Sequence, residues 1–148
     1  MFKKILVATD GSDIDQRAVT LSVEFAASIN AELVFAFVAF PYTVVGSQFP
    51  VPSGTLPTHA EHEKSNREQA HRIFRLAEQI AKAASVQFKT VTLNNAQPWR
   101  GLLQIASSES CELICMASHG RGGLSALLLG SETQKVLTHS HLPVLVVR

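Results

Sequence analysis

Five short apolar runs, each but the last followed by a stretch of helical periodicity, constrain this chain more than any other feature. They are Lys4–Ala8, Leu33–Val38, Val86–Leu93, Glu112–Ala117 and Pro143–Val147. Most are continuous rather than alternating, the pattern of parallel strands covered on both faces. Between them, Ile14, Ala18, Leu21, Phe25, Ala26 and Ile29 form one helical stripe, and Ala70, Ile73, Phe74, Ala77, Ile80 and Ala84 form a second. Trp99, Leu102, Leu103 and Ala106 make a shorter third, and Val136 and Leu137 belong to a fourth. The alternation predicts an α/β fold, a single-domain doubly wound parallel sheet of five strands with helices on both faces and right-handed crossovers. At 148 residues and 46% hydrophobic, one domain over 1–148 can bury one core.

Helix starts are legible as well. Ser12-Asp13-Ile14-Asp15 resembles a capping box with Asp in place of Glu, and Ser131-Glu132-Thr133-Gln134 fits the box fully. One connection breaks the short-loop rule. From Ala39 to about Thr58 the chain carries Pro41, Pro50, Pro52 and Pro57 without periodicity, which reads as a lid, a binding loop or a disordered stretch.

The segment Ala117 to Ser131 follows the fourth strand and precedes a helix, and it is rich in small residues. Such a junction lets backbone N–H groups approach an anion with the helix dipole behind them. A plain strand–helix connection is the alternative. In open α/β sheets the ligand crevice lies at the carboxyl ends of strands, where the strand order reverses. With the first strand central, Thr9-Asp10-Gly11-Ser12 and Ala117–Gly123 form opposite lips of that crevice. Asp10 then meets a ribose hydroxyl or a magnesium ion on the phosphates; its other reading is a turn residue bonding its own backbone. No P-loop lysine motif and no Gly-x-Gly-x-x-Gly occurs.

Composition excludes other classes. The net charge is +1 with acids and bases interspersed, which marks no nucleic-acid surface. The longest apolar stretch, Leu33–Phe40, is too short for a membrane span. The amino terminus reads as a strand rather than a signal peptide, so the expected compartment is cytoplasmic. Cys111 and Cys115 fall on different elements and read as buried free thiols rather than a disulfide or a zinc pair.

Over essentially its whole length the chain resembles the universal stress protein family. The resemblance rests on Lys3–Ser12, on Leu113–Gly120, on Leu129-Gly130-Ser131 and on Pro143–Val147. It implies a sheet of order 3-2-1-4-5, usually in a dimer, with ATP-binding and non-binding branches. The ATP-binding branch carries Gly-x-x-Gly, nine residues, then Gly-[Ser/Thr]. Gly120, the nine residues 121–129 and Gly130-Ser131 match it, and Ala117 replaces the first glycine. An alanine there matters only where the backbone needs positive φ. By this resemblance the Val38 backbone meets the adenine edge, and Ala8 and Asp10 lie by the adenosine. Ala117, Ser118, His119, Gly120, Arg121, Gly122 and Gly123 wrap the ribose and phosphates, while Gly130, Ser131, Glu132 and Thr133 supply the last helix start. ATP and Mg2+ are the implied ligands.

Other signals carry less. His59 and His62, with His71 beyond, suggest a metal or, more simply, a solvated helix face. His139 and His141 suit a helix carboxyl end. Ser118 and His119 are adjacent but lack an acid nearby in sequence and a nucleophile elbow. No base for phosphoryl transfer is evident, so slow ATP hydrolysis and no catalytic residue are expected. Two functions stay open: a nucleotide-binding regulatory protein of the stress response, and a stress-related interaction module that binds no nucleotide. The apolar carboxyl-terminal strand, running from Leu142 to Val147, predicts a homodimer built on that edge.

Overall fold

The computed structural model describes residues 1–42, 57–119 and 129–148. In chain order the elements are β1 Lys4–Ala8, α1 Asp13–Ile29, β2 Glu32–Ala39, α2 His59–Ala83, β3 Phe88–Asn94, α3 Pro98–Ser108, β4 Leu113–Ala117, α4 Ser131–His139 and β5 Val144–Val147. Among the described residues the strands form one sheet of order β3-β2-β1-β4-β5. Every pairing is parallel, so the doubly wound α/β sheet expected from the apolar runs is the one formed. The register runs Ile5↔Leu33 and Ile5↔Leu113 on the two sides of β1.

Alternate residues of each strand feed opposite faces. Ile5, Val7, Leu33, Phe35 and Cys115 join Val19 and Val23 of α1 and Ile73 and Phe74 of α2 in one buried layer. Leu6, Val34, Ala36, Val38, Ile114 and Met116 join Leu102 and Ile105 of α3 and Val136 of α4 in the other. The change of face falls between β1 and β4, which fixes the switch point beside the carboxyl end of β1.

Three helices end in the same way. Asn30, Ser85 and Ser110 take left-handed φ of 54°, 56° and 55°. The next residue's N–H then reaches back five positions, Ala31 to Ala26, Val86 to Ala81 and Cys111 to Ala106. This closes the last turn and buries an apolar residue immediately beyond it. That closure explains why β3 begins at Phe88 and not at Val86: Val86 is used to seal α2. The α2 helix is longer than its apolar stripe suggests, because Thr58 and Glu61 form a reciprocal capping box at its start.

Both capping boxes read from sequence need correction. Ser12 does cap α1, its Oγ accepting from the Asp15 N–H at 3.4 Å. The Asp15 carboxylate does not reach back to Ser12, whose N–H instead donates to Asp10 Oδ1 at 2.9 Å. At α4 the cap position is Gly130 and Ser131 is already helical, with no side-chain cap. There the Gly130 N–H donates to the Ser118 carbonyl at 2.8 Å, and Thr133 Oγ1 donates to the Ala117 carbonyl at 3.1 Å. These bonds tie the helix start to the end of β4 one residue earlier than the box would.

Of the connection from Ala39 to Thr58, residues 43–56 lie outside the described residues. No described helix is long and apolar enough to cross a membrane. Cys111 and Cys115 are both free and buried, and burial pushes each thiol up to about 11.

Candidate functional site at the switch point

A cavity of about 770 Å³ opens at the carboxyl ends of β1, β2 and β4. Its floor is apolar: Ala36 and Val38 from β2, Leu102 from α3 and Met116 from β4. Its rim is polar, with Asp10 and Asp15 on one lip and His119, Gly130, Ser131, Glu132 and Thr133 on the other. This is the usual makeup of a small-molecule site, an apolar body with a few placed polar groups.

Of the site residues expected from sequence, Ala8, Asp10, Val38, Ala117, His119, Gly130, Ser131, Glu132 and Thr133 line this one cavity. Ser118 lies just behind it, 3% exposed, with its Oγ 2.9 Å from His119 Nδ1. Gly120, Arg121, Gly122 and Gly123 lie outside the described residues. Ala117 sits inside β4 and is not among the residues with positive φ. Alanine therefore adopts this backbone without strain, and the missing glycine costs the site nothing in conformation.

The two lips differ in how their polar groups are met. On the β1–α1 lip a residue that sequence reading took for half a capping box does the holding. Asp15 is 3% exposed, and its Oδ2 accepts from the Thr9 hydroxyl, the Asp10 N–H at 3.0 Å and the Gly11 N–H at 3.2 Å. Burial pushes its carboxyl up to about 6, the three hydrogen bonds only partly offsetting it, and the nearby Asp10 charge pushes the same way. The only early sign was an acid three residues after a cap Ser on an apolar helix. Asp10 itself accepts from Ser12 N–H, the turn role, while also facing the cavity.

On the β4–α4 lip the first N–H groups of α4 have no side-chain cap. Gly130 is closely held: a Cβ there would sit 3.3 Å from the Ser118 carbonyl oxygen and 3.4 Å from His119 Cα. The His119 ring reaches Ser118 with Nδ1, and its Nε2 is buried with no hydrogen-bond partner among the described residues. The Glu132 carboxylate in the first turn is turned to other work, accepting from the Trp99 N–H at 2.8 Å and from Lys135 Nζ at 2.9 Å. It thereby caps α3, which has no side-chain cap of its own and starts with Pro98.

The backbone of β2 completes the site. The Ala36 carbonyl accepts from the Thr9 N–H at 2.9 Å, and the last β1–β2 partners are Ala8 and Ala36. Two residues on, the peptide groups of Val38 face the same side, past the point where β1 has turned away. They look into the crevice with one donor and one acceptor.

The histidines weighed as metal ligands are engaged elsewhere. His62 Nε2 is 3.0 Å from the Phe40 carbonyl oxygen, and His59 Nδ1 is 3.8 Å from Glu63. Among the described residues no group of three or more His, Cys, Asp or Glu gathers to hold a metal.

Fold and crevice together define a doubly wound α/β domain with its ligand site at the switch point. Comparison with known proteins places it more narrowly. The universal stress protein family model matches residues 1–148. A universal stress protein of Thermus aquaticus is 35% identical over 149 residues, covering all of both chains. Among solved structures, MJ0577 of Methanocaldococcus jannaschii superposes with a TM-score of 0.80 at 26% identity, covering 99% of this chain and 96% of that one. A universal stress protein crystallised in complex with cAMP superposes with a TM-score of 0.72 at 28% identity, covering 99% and 97%. The chain belongs to the universal stress protein family.

Proposed function

We propose that this protein binds an adenine nucleotide, ATP with magnesium, in the switch-point cavity, and acts in the stress response through nucleotide-dependent conformation or partner choice. The observation that carries this reading is the β4–α4 lip: a helix start without a side-chain cap, at Gly130 and Ser131, lines the same cavity as His119, whose Nε2 has no hydrogen-bond partner among the described residues. Each of these is a polar feature that an anion completes. The relative crystallised with cAMP supports an adenine nucleotide as the guest. With no cluster of protein ligands among the described residues, the magnesium would arrive on the phosphates.

Isothermal titration with ATP and ADP at millimolar concentration tests it: saturable heat is expected, and its absence overturns the reading. Mass spectrometry of whatever small molecule leaves the denatured, purified protein identifies the natural guest. Hydrolysis is expected below roughly one turnover per minute, against ~10 s⁻¹ for a median enzyme. Asp10 and Asp15 both sit on the lip opposite the helix start and hold backbone there. Steady-state phosphate release of several turnovers per second, abolished by Asp10→Asn, would show that one of these carboxylates has a catalytic role.

The homodimer expected from the last strand fits the sheet order. β5 is an edge, Leu145 is 41% exposed, and the strand carries no charge from Val144 to Val147. Edge-to-edge pairing about a two-fold axis would cover both copies. Light scattering should give twice the 16.1 kDa of one chain; the monomer mass overturns this assembly.

A further inference from the structure

The cavity has a second wall that an anion at α4 leaves untouched. On α2, His62, Asn66 and Gln69 fall at i, i+4 and i+7, on one helix face, and all three line the cavity. The first two hold backbone. The Phe40 carbonyl oxygen lies 3.0 Å from His62 Nε2 and 3.2 Å from Asn66 Nδ2. They fix the residue just past β2 and leave Phe40 63% exposed at the cavity rim. Gln69 is different. It is half-buried and faces the cavity, yet its carboxamide has no hydrogen-bond partner among the described residues. One turn on, Ile73 Cγ1 lies 3.1 Å from where a Gly11 Cβ would be. That contact seats α2 on the β1–α1 lip and holds Gln69 over the ends of β1 and β2.

The sheet order then says which end of a nucleotide lies there. The anion-accepting helix start follows β4, and β2 is two strands away. At about 4.8 Å per strand this is roughly 10 Å, comparable to the span of a nucleotide from its phosphate to its ring. The ring therefore falls over β2. It meets the apolar side chain of Val38, the Val38 peptide groups, an exposed aromatic ring and an unpartnered carboxamide. A purine presents the complementary set: apolar faces and an edge carrying both donors and acceptors.

We infer that Gln69 reads the edge of the nucleobase and, with Phe40 beside it, makes this site discriminate between bases. The inference rests on the nucleotide reading above and adds a specificity residue to it. It is tested on the full chain by titrating wild type and Gln69→Leu with ATP, GTP and inorganic tripolyphosphate in magnesium. Leucine keeps the bulk and helix propensity and removes both polar atoms. The expected result is a loss of about tenfold in ATP affinity, the worth of one hydrogen bond, a move of the ATP:GTP ratio toward one, and unchanged tripolyphosphate binding. An unchanged ratio in a variant that still binds ATP overturns this inference alone. Equal losses for ATP and tripolyphosphate also overturn it, since they mark a structural effect. Wild type that takes up no nucleotide overturns the parent reading and this one together. Should Gln69→Leu fold poorly by its melting curve, Gln69→Glu, which keeps the length and exchanges the donors for acceptors, is judged by the same ratio.

Discussion

Two helix starts converge on the same crevice, and only one of them is available to an anion. At α1 the chain has already spent its donors: the Asp10 and Gly11 N–H groups and the Thr9 hydroxyl point at Asp15, the Asp15 N–H is capped by Ser12, and acids occupy the first turn. At α4 no side chain caps the helix, and the one acid of the first turn is taken by Trp99 and Lys135. A helix dipole is present in both cases. What differs is the side-chain wiring around it, and that wiring gives the crevice a direction, with an open helix start toward β4 and a self-satisfied one toward β1.

The largest expected effect strikes the self-satisfied lip. Burial raises the Asp15 carboxyl from 3.8 to about 6, so the folded state holds its proton more tightly than the unfolded chain does. Its contribution to stability is therefore fully present below about pH 4 and is lost as pH rises through 6, a total of about 3 kcal/mol. Asp15→Asn cannot ionise, and its urea-denaturation free energy should lack that decline. Parallel wild-type and variant profiles between pH 4 and 7 would break the contrast between the lips.

Next comes the open lip. Gly130→Val forces a side chain against the Ser118 carbonyl and the His119 backbone, an overpacking of about 2 kcal/mol against the fold; the shift of the helix start that relieves it should weaken ATP binding. Calorimetric titration at fixed magnesium checks it, and unchanged affinity would remove Gly130 from the site.

The smallest effects sharpen the contrast between the caps. Ser12→Ala removes a genuine helix cap and should cost about 1 kcal/mol in thermal or urea denaturation. Ser131→Ala removes an exposed hydroxyl that caps nothing and should change stability by less than about 0.5 kcal/mol. Equal costs at the two serines would restore the box read at Ser131.

The fold was almost wholly legible in the sequence, because buried parallel strands and helical stripes differ in period and length. The β1 bounds Lys4–Ala8 are those read from the apolar run, and Leu33–Val38 and Glu112–Ala117 differ from their strands by a residue or so at the ends. The site was legible in place but less so in wiring. Asp10 and His119 were placed on the cavity by strand ends, and Val38 and Gly130 by the family resemblance. Asp15 and Gln69 were not, since nothing local distinguishes a helix acid that folds back on its own loop, or a helix amide that faces a cavity, from solvated ones. The same blindness hid the floor residues Leu102 and Met116, which read as ordinary core until the sheet's end exposes them to the crevice. Likewise, the choice of Gly130 over Ser131 as cap was settled by bonds to β4, which local sequence does not contain.

The Glu132–Trp99 bond has a practical consequence. Trp99 is the sole tryptophan of the chain, its N–H is held by a residue of the crevice, and its ring stacks on His139 at 4.5 Å between centroids. An indole stacked on an imidazole is sensitive to any change in that contact. Intrinsic fluorescence, read from a single emitter at the seam of α3 and α4, therefore gives a label-free optical gauge of ligand arrival at the neighbouring helix start.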